Sequence, residues 1–362
     1  MGFIMPDMRF APPNPIRIAD RANGLNAVSV RSHNERLVLA LLLQHGGISR
    51  MAIGEKTGLS AQTVSVIVRS LEQEGLVAKG LAQKGRVGPP TIPMSLNPDG
   101  AYSIGVSIGF RKTEIVLIDF VGEIIESIYL RHDAPGWHYV HPQLFSTIET
   151  LINGLSRSKK HKIAGVGLAL PSTFEDSDEL EVFKADVERE LNLEVFVQDD
   201  VTSAANGESM FGHARDLDNY LFFYIGAQVH SRLILNHQIF KSGSNAIYDV
   251  GLVHFERALG ANSTSVEEIW QKSAGLANYE PALERWTEEC VALISTKVAE
   301  AQQFVDVSTV VLSTYTPPEI CERICSLLSA STEGLAAITG KLANAPKAVG
   351  AASLPYSSRF MV

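Results

Sequence analysis

Two neighbouring carboxylates and a short row of polar side chains are the residues of this chain best placed for chemistry. Asp199 and Asp200 end the apolar run "EVFVQDD" and precede "VTSAANGE", so a strand gives way to a helix there. Acids at such a junction either cap the helix, by accepting its first N–H groups, or accept hydrogen bonds from the hydroxyls of a ligand. The second set lies in "LSAQTVSVIVRSLEQEG" (59–75). Val64, Ile67, Val68 and Leu71 recur there at helical spacing, which leaves Gln62, Thr63, Ser65 and Arg69 on the outer face near the helix start. Amide, hydroxyl and guanidinium groups in that position reach base edges and phosphates of a duplex. The three cysteines, Cys290, Cys321 and Cys325, make neither a disulfide framework nor a zinc ligand set, although the last two are one helical turn apart. They read as packing residues of a reducing, cytoplasmic compartment.

The elements around the polar row are punctuated as a helix-turn-helix. Val38, Leu41, Leu42 and His45 set a first helix that Gly46 and Gly47 end. Ser49 caps a second, Arg50 to Thr57, closed by Gly58, and Ser60 caps the third. A tight glycine turn before a helix with an exposed polar start describes a reader of the major groove. A strand from Leu76 to Ala78 and a returning strand in "TIPMSL" (91–96) then flank a wing tip that carries Lys84 and Arg86, with Pro89 and Pro90 stiffening its exit. The candidates for DNA contact are Ser49, Arg50, Ser60, Gln62, Thr63, Ser65 and Arg69, with Lys84 and Arg86 on the wing.

Charge divides the chain in the same place. Residues 31–98 carry eight Lys/Arg against four Asp/Glu, whereas the whole chain of 362 residues has a net charge of -9. A basic module precedes an acidic body, as suits a domain that approaches phosphates while the remainder stays off them. The longest apolar runs, such as "LVLALLL" (37–43), are far shorter than a membrane span. The first twenty residues lack the basic, apolar and small-residue succession of an export signal, so no export and no membrane partner is expected.

From Ala101 the pattern is that of an α/β body. "YSIGVSIG", "TEIVLIDF" and "EIIESIYL" predict three strands, followed by a helix from about Pro142 to Ser156 and then two more strands, "IAGVGLALPS" and "EVFVQDD". "YLFFYIG", "SRLILN" and "QIF" predict a second set of three. The chain ends in helices with one strand, "STVVLST", between them. Two such units in tandem suggest two lobes facing a cleft, the usual place for a ligand.

This combination resembles the ROK family, sugar kinases and sugar-responsive repressors on an actin-like ATPase (ribonuclease H-like) fold, and in particular its repressors with an N-terminal winged helix-turn-helix. The resemblance covers residues 31–362. "GRVGPPTIPMSLNPDGAYSIGVSIG" (85–109) looks like the family's junction of wing and body, and "KAVGAASLPYSSRF" (347–360) like its C-terminal segment, which returns to the first lobe. The family's first phosphate loop, Asp-x-Gly-Gly-Thr, is "SIGFR" here, with Ser107 for the acid and Phe110 and Arg111 for Gly and Thr. The second is "GAQVHSR", which keeps Gly226 and fills the rest with Gln228, His230, Ser231 and Arg232. "LST" (312–314) stands for a late Gly-Gly, and the family's zinc cysteines are missing from "VHFERALGANST". In "DDVTSAANGE" the resemblance implies a sugar-facing acid at Asp200, with Asp199 replacing an Asn. In "DVGL" Asp249 keeps an acid and Leu252 loses a metal ligand. The resemblance adds Asn245 to this set, and His254, close by in the sequence, is the expected substitute hydroxyl partner.

These readings imply a transcriptional regulator, a repressor, that is not an enzyme and holds neither metal nor cofactor. Its partners are operator DNA and a sugar or polyol effector gripped by Asp199, Asp200, Asn245, Asp249 and His254. The expected domains are a flexible arm (1–30), the winged helix (31–98), a first lobe (99–197 with 345–362) and a second lobe (198–344). The second lobe's amphipathic segments, "EEIWQKSAGL" and "ERWTEECVALISTKVAEAQQF", serve either its core or a homodimer or homotetramer interface. Two alternatives stay open: a divergent ATP-dependent carbohydrate kinase, and a DNA-binding protein whose pocket is vestigial.

Overall fold

The structure, a computed structural model, describes residues 33–82, 91–109, 112–132, 137–171, 178–240, 247–259, 279–342 and 345–361. The chain divides into two compact units, one running to Ser203 and resuming at Lys347, the other spanning Ala204–Pro346. Among the described residues no helix is long and apolar enough to cross a membrane.

The first unit begins with three helices, α1 (His33–His45), α2 (Arg50–Thr57) and α3 (Ala61–Gln73). Apolar residues surround α1 on nearly every side, so its phase is set by packing: Val38, Leu39, Leu42 and Leu43 are buried, while Leu41 is half-buried and His45 exposed. The Ser49 hydroxyl accepts the Ala52 N–H at 3.1 Å, and Gly58 (φ 71°) ends α2 in the left-handed region. Ser60 accepts the Thr63 N–H to start α3, whose expected stripe of Val64, Ile67, Val68 and Leu71 is buried. Strands β1 (Val77–Lys79) and β2 (Met94–Leu96) pair antiparallel, Val77 opposite Leu96. β1 is displaced by one residue from the expected Leu76–Ala78, and β2 is shorter than expected at its start, where Pro93, which has no N–H for a ladder, precedes it. Ile48 bridges Met94 as a third short rung.

The body of this unit is a five-stranded sheet in the order β5-β4-β3-β6-β7, from β3 (Tyr102–Ile108), β4 (Lys112–Asp119), β5 (Ile124–Arg131), β6 (Ile163–Leu170) and β7 (Val195–Asp199). β6 runs parallel to β3 and β7 and is buried along its whole length. One core joins Ile104, Val106, Leu117 and Leu168 of the sheet to Leu144 and Ile148 of α4 (Trp137–Gly154). α4 starts five residues before Pro142, which the helix holds internally, whereas the sequence reading took the proline as its first turn. After a one-turn helix, α5 (Arg157–Lys160), the chain also forms α6 (Asp178–Asp186), an acidic helix that the sequence reading did not identify.

α7 (Asp200–Phe211) leads into the second unit, where the sheet order is β10-β9-β8-β12-β13. β8 (Tyr220–Ile225), β9 (Val229–Leu235) and β10 (Gln238–Phe240) form the expected meander. Asn236 (φ 50°) and His237 (φ 61°) make its second turn, and the short β11 (Ile247–Tyr248) pairs with β9. β12 (Thr309–Thr314) lies parallel to β8 and to β13 (Ala336–Thr339), so a second late strand stands where only helices were expected. α8 (Leu252–Leu259), α9 (Glu280–Gln302) and α10 (Pro318–Ser331) cover the sheet. Leu283, Trp286, Cys290, Ile294 and Val298 of α9 are buried in this unit's own core, which Trp286 anchors by stacking on Phe255 and donating to the Val250 carbonyl at 2.8 Å. "ERWTEECVALISTKVAEAQQF" therefore fills a core, and "EEIWQKSAGL" lies outside the described residues. All three cysteines are buried thiols.

α11 (Pro346–Arg359) returns to the first unit and lies on β3 and β6. Gly105 and Gly167 are register partners there, and their missing side chains admit its backbone at Ala348 and Ala351. The fully buried Tyr356 hydroxyl reaches the carbonyls of Ala101, Ile118 and Asp119 at 3.0–3.3 Å.

Candidate functional site

The hydroxyl candidates of the winged helix are engaged within it. Ser49 and Ser60 are caps, Ser60 Oγ and Thr63 Oγ1 lie 2.9 Å apart, and Ser65 donates to the Ala61 carbonyl at 2.8 Å. Arg50 pairs with Glu72 at 3.3 Å, and Lys79 pairs with the same carboxylate. Gln62 and Arg69 are exposed and have no partner among the described residues, so of the expected contacts on α3 they are the ones open to an external contact. Lys84 and Arg86 lie outside the described residues. The sequence reading missed Val66, which is 64% exposed on the same face, because an apolar residue in a helix reads as core.

The expected ligand carboxylates have different surroundings. Asp199 is buried at the end of β7, and its Oδ1 accepts the Thr202 N–H at 2.9 Å. It caps α7, the first of the two roles open to acids at this junction. Asp200 forms an ion pair with Lys347 in the first turn of α11. Lys347 was not among the sequence candidates, since 147 positions separate it from Asp200 and nothing local marks it. Both acids belong to the first unit. In the second, Asp249 pairs with Arg257 at 3.3 Å in an exposed position, and His254 Nε2 lies 2.8 Å from Glu289. Such exposed pairs contribute little to stability and leave the side chains accessible. Asn245 lies outside the described residues.

The third acid of "DDVTSAANGE", Glu208, is fully buried within the second unit. Its carboxylate accepts the backbone N–H groups of His213, Lys341 and Leu342 at 3.3, 3.1 and 2.8 Å. Gly212 and Gly340 close around it, since a Cβ at either would fall within 2.5 Å of a carboxylate oxygen. Glu208 is thus a strut between α7 and the segment after β13.

The positions that resemble phosphate loops are packed. Ser107 is buried in β3, and Phe110 and Arg111 lie outside the described residues. The 226–228 turn is tight, with the Gly226 N–H donating to the Gln228 carbonyl at 3.0 Å. The Gly226 and Ala227 carbonyls accept the Leu252 and Val253 N–H groups at 2.9 and 3.1 Å, and a Cβ on Gly251 would sit 2.4 Å from the Ala227 oxygen. The start of α8 therefore lies directly on this turn. Arg232 is 5% exposed and donates to the Ser231 carbonyl, a structural role. Leu312, Ser313 and Thr314 are buried strand residues of β12. Among the described residues no cluster of His, Cys, Asp and Glu is able to hold a metal.

Fold and site together define a winged helix joined to a body of the actin-like kinase fold. Residues 103–247 match the ROK family, and residues 32–86 match the MarR family. The xylose repressor of Bacillus subtilis (strain 168) is 25% identical over 233 residues, 61% of this chain and 60% of that protein. The DNA-binding transcriptional dual regulator NagC of Escherichia coli (strain K12) is 23% identical over 242 residues, 64% of this chain and 59% of that protein. The chain thus spans about 60% of the length of these curated relatives. A crystal structure of a ROK family transcriptional regulator, homologue of the E. coli MLC protein, aligns with a TM-score of 0.64 at 15% identity, covering 90% of this chain and 96% of that one. This chain carries a ROK family domain joined to a MarR-type winged helix.

Proposed function

We propose that the protein is a DNA-binding transcriptional regulator, a repressor, that is released from its operator by a small sugar or polyol. The observation that carries this reading is the outer face of α3, where Gln62 and Arg69 stand exposed and without partners among the described residues, in a domain joined to a ROK body. The effector class follows from the relatives, which are named for DNA binding and for xylose, and from Asp200, an acceptor suited to ligand hydroxyls. Effector binding shifts the population toward a state of lower operator affinity. The protein works in the cytoplasm as a homodimer or homotetramer, because two winged helices must meet half-sites about 34 Å apart. The body does not phosphorylate its ligand: Ser107 offers no acid for a metal, and α8 lies on the 226–228 turn.

Selection of duplexes from a random library by the purified protein tests the reading, followed by binding to the selected duplex with a panel of sugars and polyols. A palindromic site released by one compound is the expected result. No enriched duplex would overturn it. ATP-dependent phosphorylation of any panel compound, lost in Asp200→Asn, would overturn the non-catalytic assignment.

A further inference from the structure

Val66 stands in the middle of the outer face of α3, one turn after Gln62 and one turn before Arg69. The buried stripe is complete without it, since Val64, Ile67, Val68 and Leu71 already fill the inner face. A β-branched residue is also a poorer choice for an exposed helical position than Ala, Gln or Lys. Single exposed apolar residues are ordinary on protein surfaces, but this one lies in line with an amide and a guanidinium that have no partner among the described residues. The hydroxyls beside it are engaged, Thr63 with Ser60 and Ser65 with the Ala61 carbonyl. The groups left to face outward along this line are an amide, an isopropyl group and a guanidinium. In the major groove the apolar feature that base edges present is the C5 methyl of thymine.

We infer that Val66 is a specificity-determining residue that contacts a thymine methyl group in each operator half-site. This rests on the DNA-reading function proposed above. Four residues of helix advance about 6 Å, and base pairs are spaced about 3.4 Å. The thymine therefore lies within about two base pairs of the base met by Gln62.

The test uses the full-length protein and the duplex it selects from a random library. Each thymine is replaced in turn by deoxyuridine, which lacks only the methyl group, and binding is read by fluorescence anisotropy for wild type and Val66→Ser. The expected result is one position per half-site at which losing the methyl weakens wild-type binding about fourfold, the effect of withdrawing one buried methyl group. Val66→Ser, at an exposed site and with an unchanged thermal midpoint, should bind thymine and deoxyuridine duplexes equally there. If no thymine is methyl-sensitive in wild type, or the sensitivity persists in Val66→Ser, the inference about Val66 is overturned while DNA reading stands. Failure to enrich any duplex overturns DNA reading itself, and this inference with it.

Discussion

Lys347 holds Asp200 in an ion pair that ties the first turn of α11 to the start of α7. The side chains are 23% and 20% exposed, between the surface pairs that contribute almost nothing and the buried pairs whose disruption is costly. A double-mutant cycle with Lys347→Met and Asp200→Asn should therefore give a coupling of about 1–3 kcal/mol in urea unfolding. A coupling near zero would mean that the pair does not hold in solution.

The two substitutions should differ in the response to effector. On the proposal that Asp200 accepts from ligand hydroxyls, Asp200→Asn should retain operator affinity within about twofold but lose release by the compound that frees wild type. Lys347→Met breaks the same ion pair yet keeps the carboxylate, and it should still release. Anisotropy titrations of both variants separate loss of a ligand contact from loss of the ion pair. Equal response in Asp200→Asn and wild type would remove Asp200 from the ligand site.

At the far end of α11 the carbonyls of Ser357 and Ser358 accept from the Arg36 guanidinium of α1 at 3.0 and 3.1 Å. The last carbonyls of a helix have no partner within it, and a cation there is favoured by the helix dipole. Arg36→Ala should weaken the attachment of the winged helix to the body by about 1–3 kcal/mol. Scanning calorimetry should show this as an added low-temperature transition, with Arg36→Lys intermediate. An unchanged single transition would exclude the attachment role.

What the sequence disclosed, and what it hid, follows from the range of each interaction. The stripe and cap of α3 were legible because Ser60, Val64, Ile67, Val68 and Leu71 act within one helix. The phase of α1 was not, because "LVLALLL" is apolar on every side and only the packing of Leu39 and Leu43 selects one. α6 escaped because Leu180 and Phe183 are embedded among acids, and β13 because "AAIT" has little strand character. The adjacent acids were visible as a pair, but which one caps α7 and which one meets Lys347 depends on contacts made after folding. Val66 was missed for the same reason: exposure is not a property of residue type.

The thiols give a prediction with a sign. Burial, with Glu289 beside it, pushes the Cys290 thiol from 9.0 up to about 12. A hydrogen bond with Cys325, together with burial, raises Cys321 further. The native state thus keeps protons that the unfolded chain releases above pH 9, so the stability these groups contribute is present below pH 9 and lost as pH rises toward 12. Native protein should show no fast reaction with a thiol reagent at pH 8 and three reactive thiols after denaturation. Its thermal midpoint should fall progressively above pH 9. Rapid native labelling at any of the three positions would contradict their burial.

Gly105 and Gly167 provide the test of whether α11 is the rod that these contacts share. They are neighbours across the β3–β6 ladder. A Cβ would fall 1.9 Å from the Ala348 oxygen at Gly105 and 1.8 Å from the Ala351 oxygen at Gly167. Backbone, unlike a flexible side chain, cannot step aside singly, so either substitution to alanine must lift the helix, at a cost of about 3 kcal/mol or more. Once lifted by one methyl group the helix admits the other, so the double variant should lose clearly less than the sum of the two. Because α11 carries Lys347 at its start and the acceptors of Arg36 at its end, Gly167→Ala should also reduce the Lys347–Asp200 coupling toward zero. Additive glycine effects with an intact coupling would show instead that the strand yields while the helix stays in place.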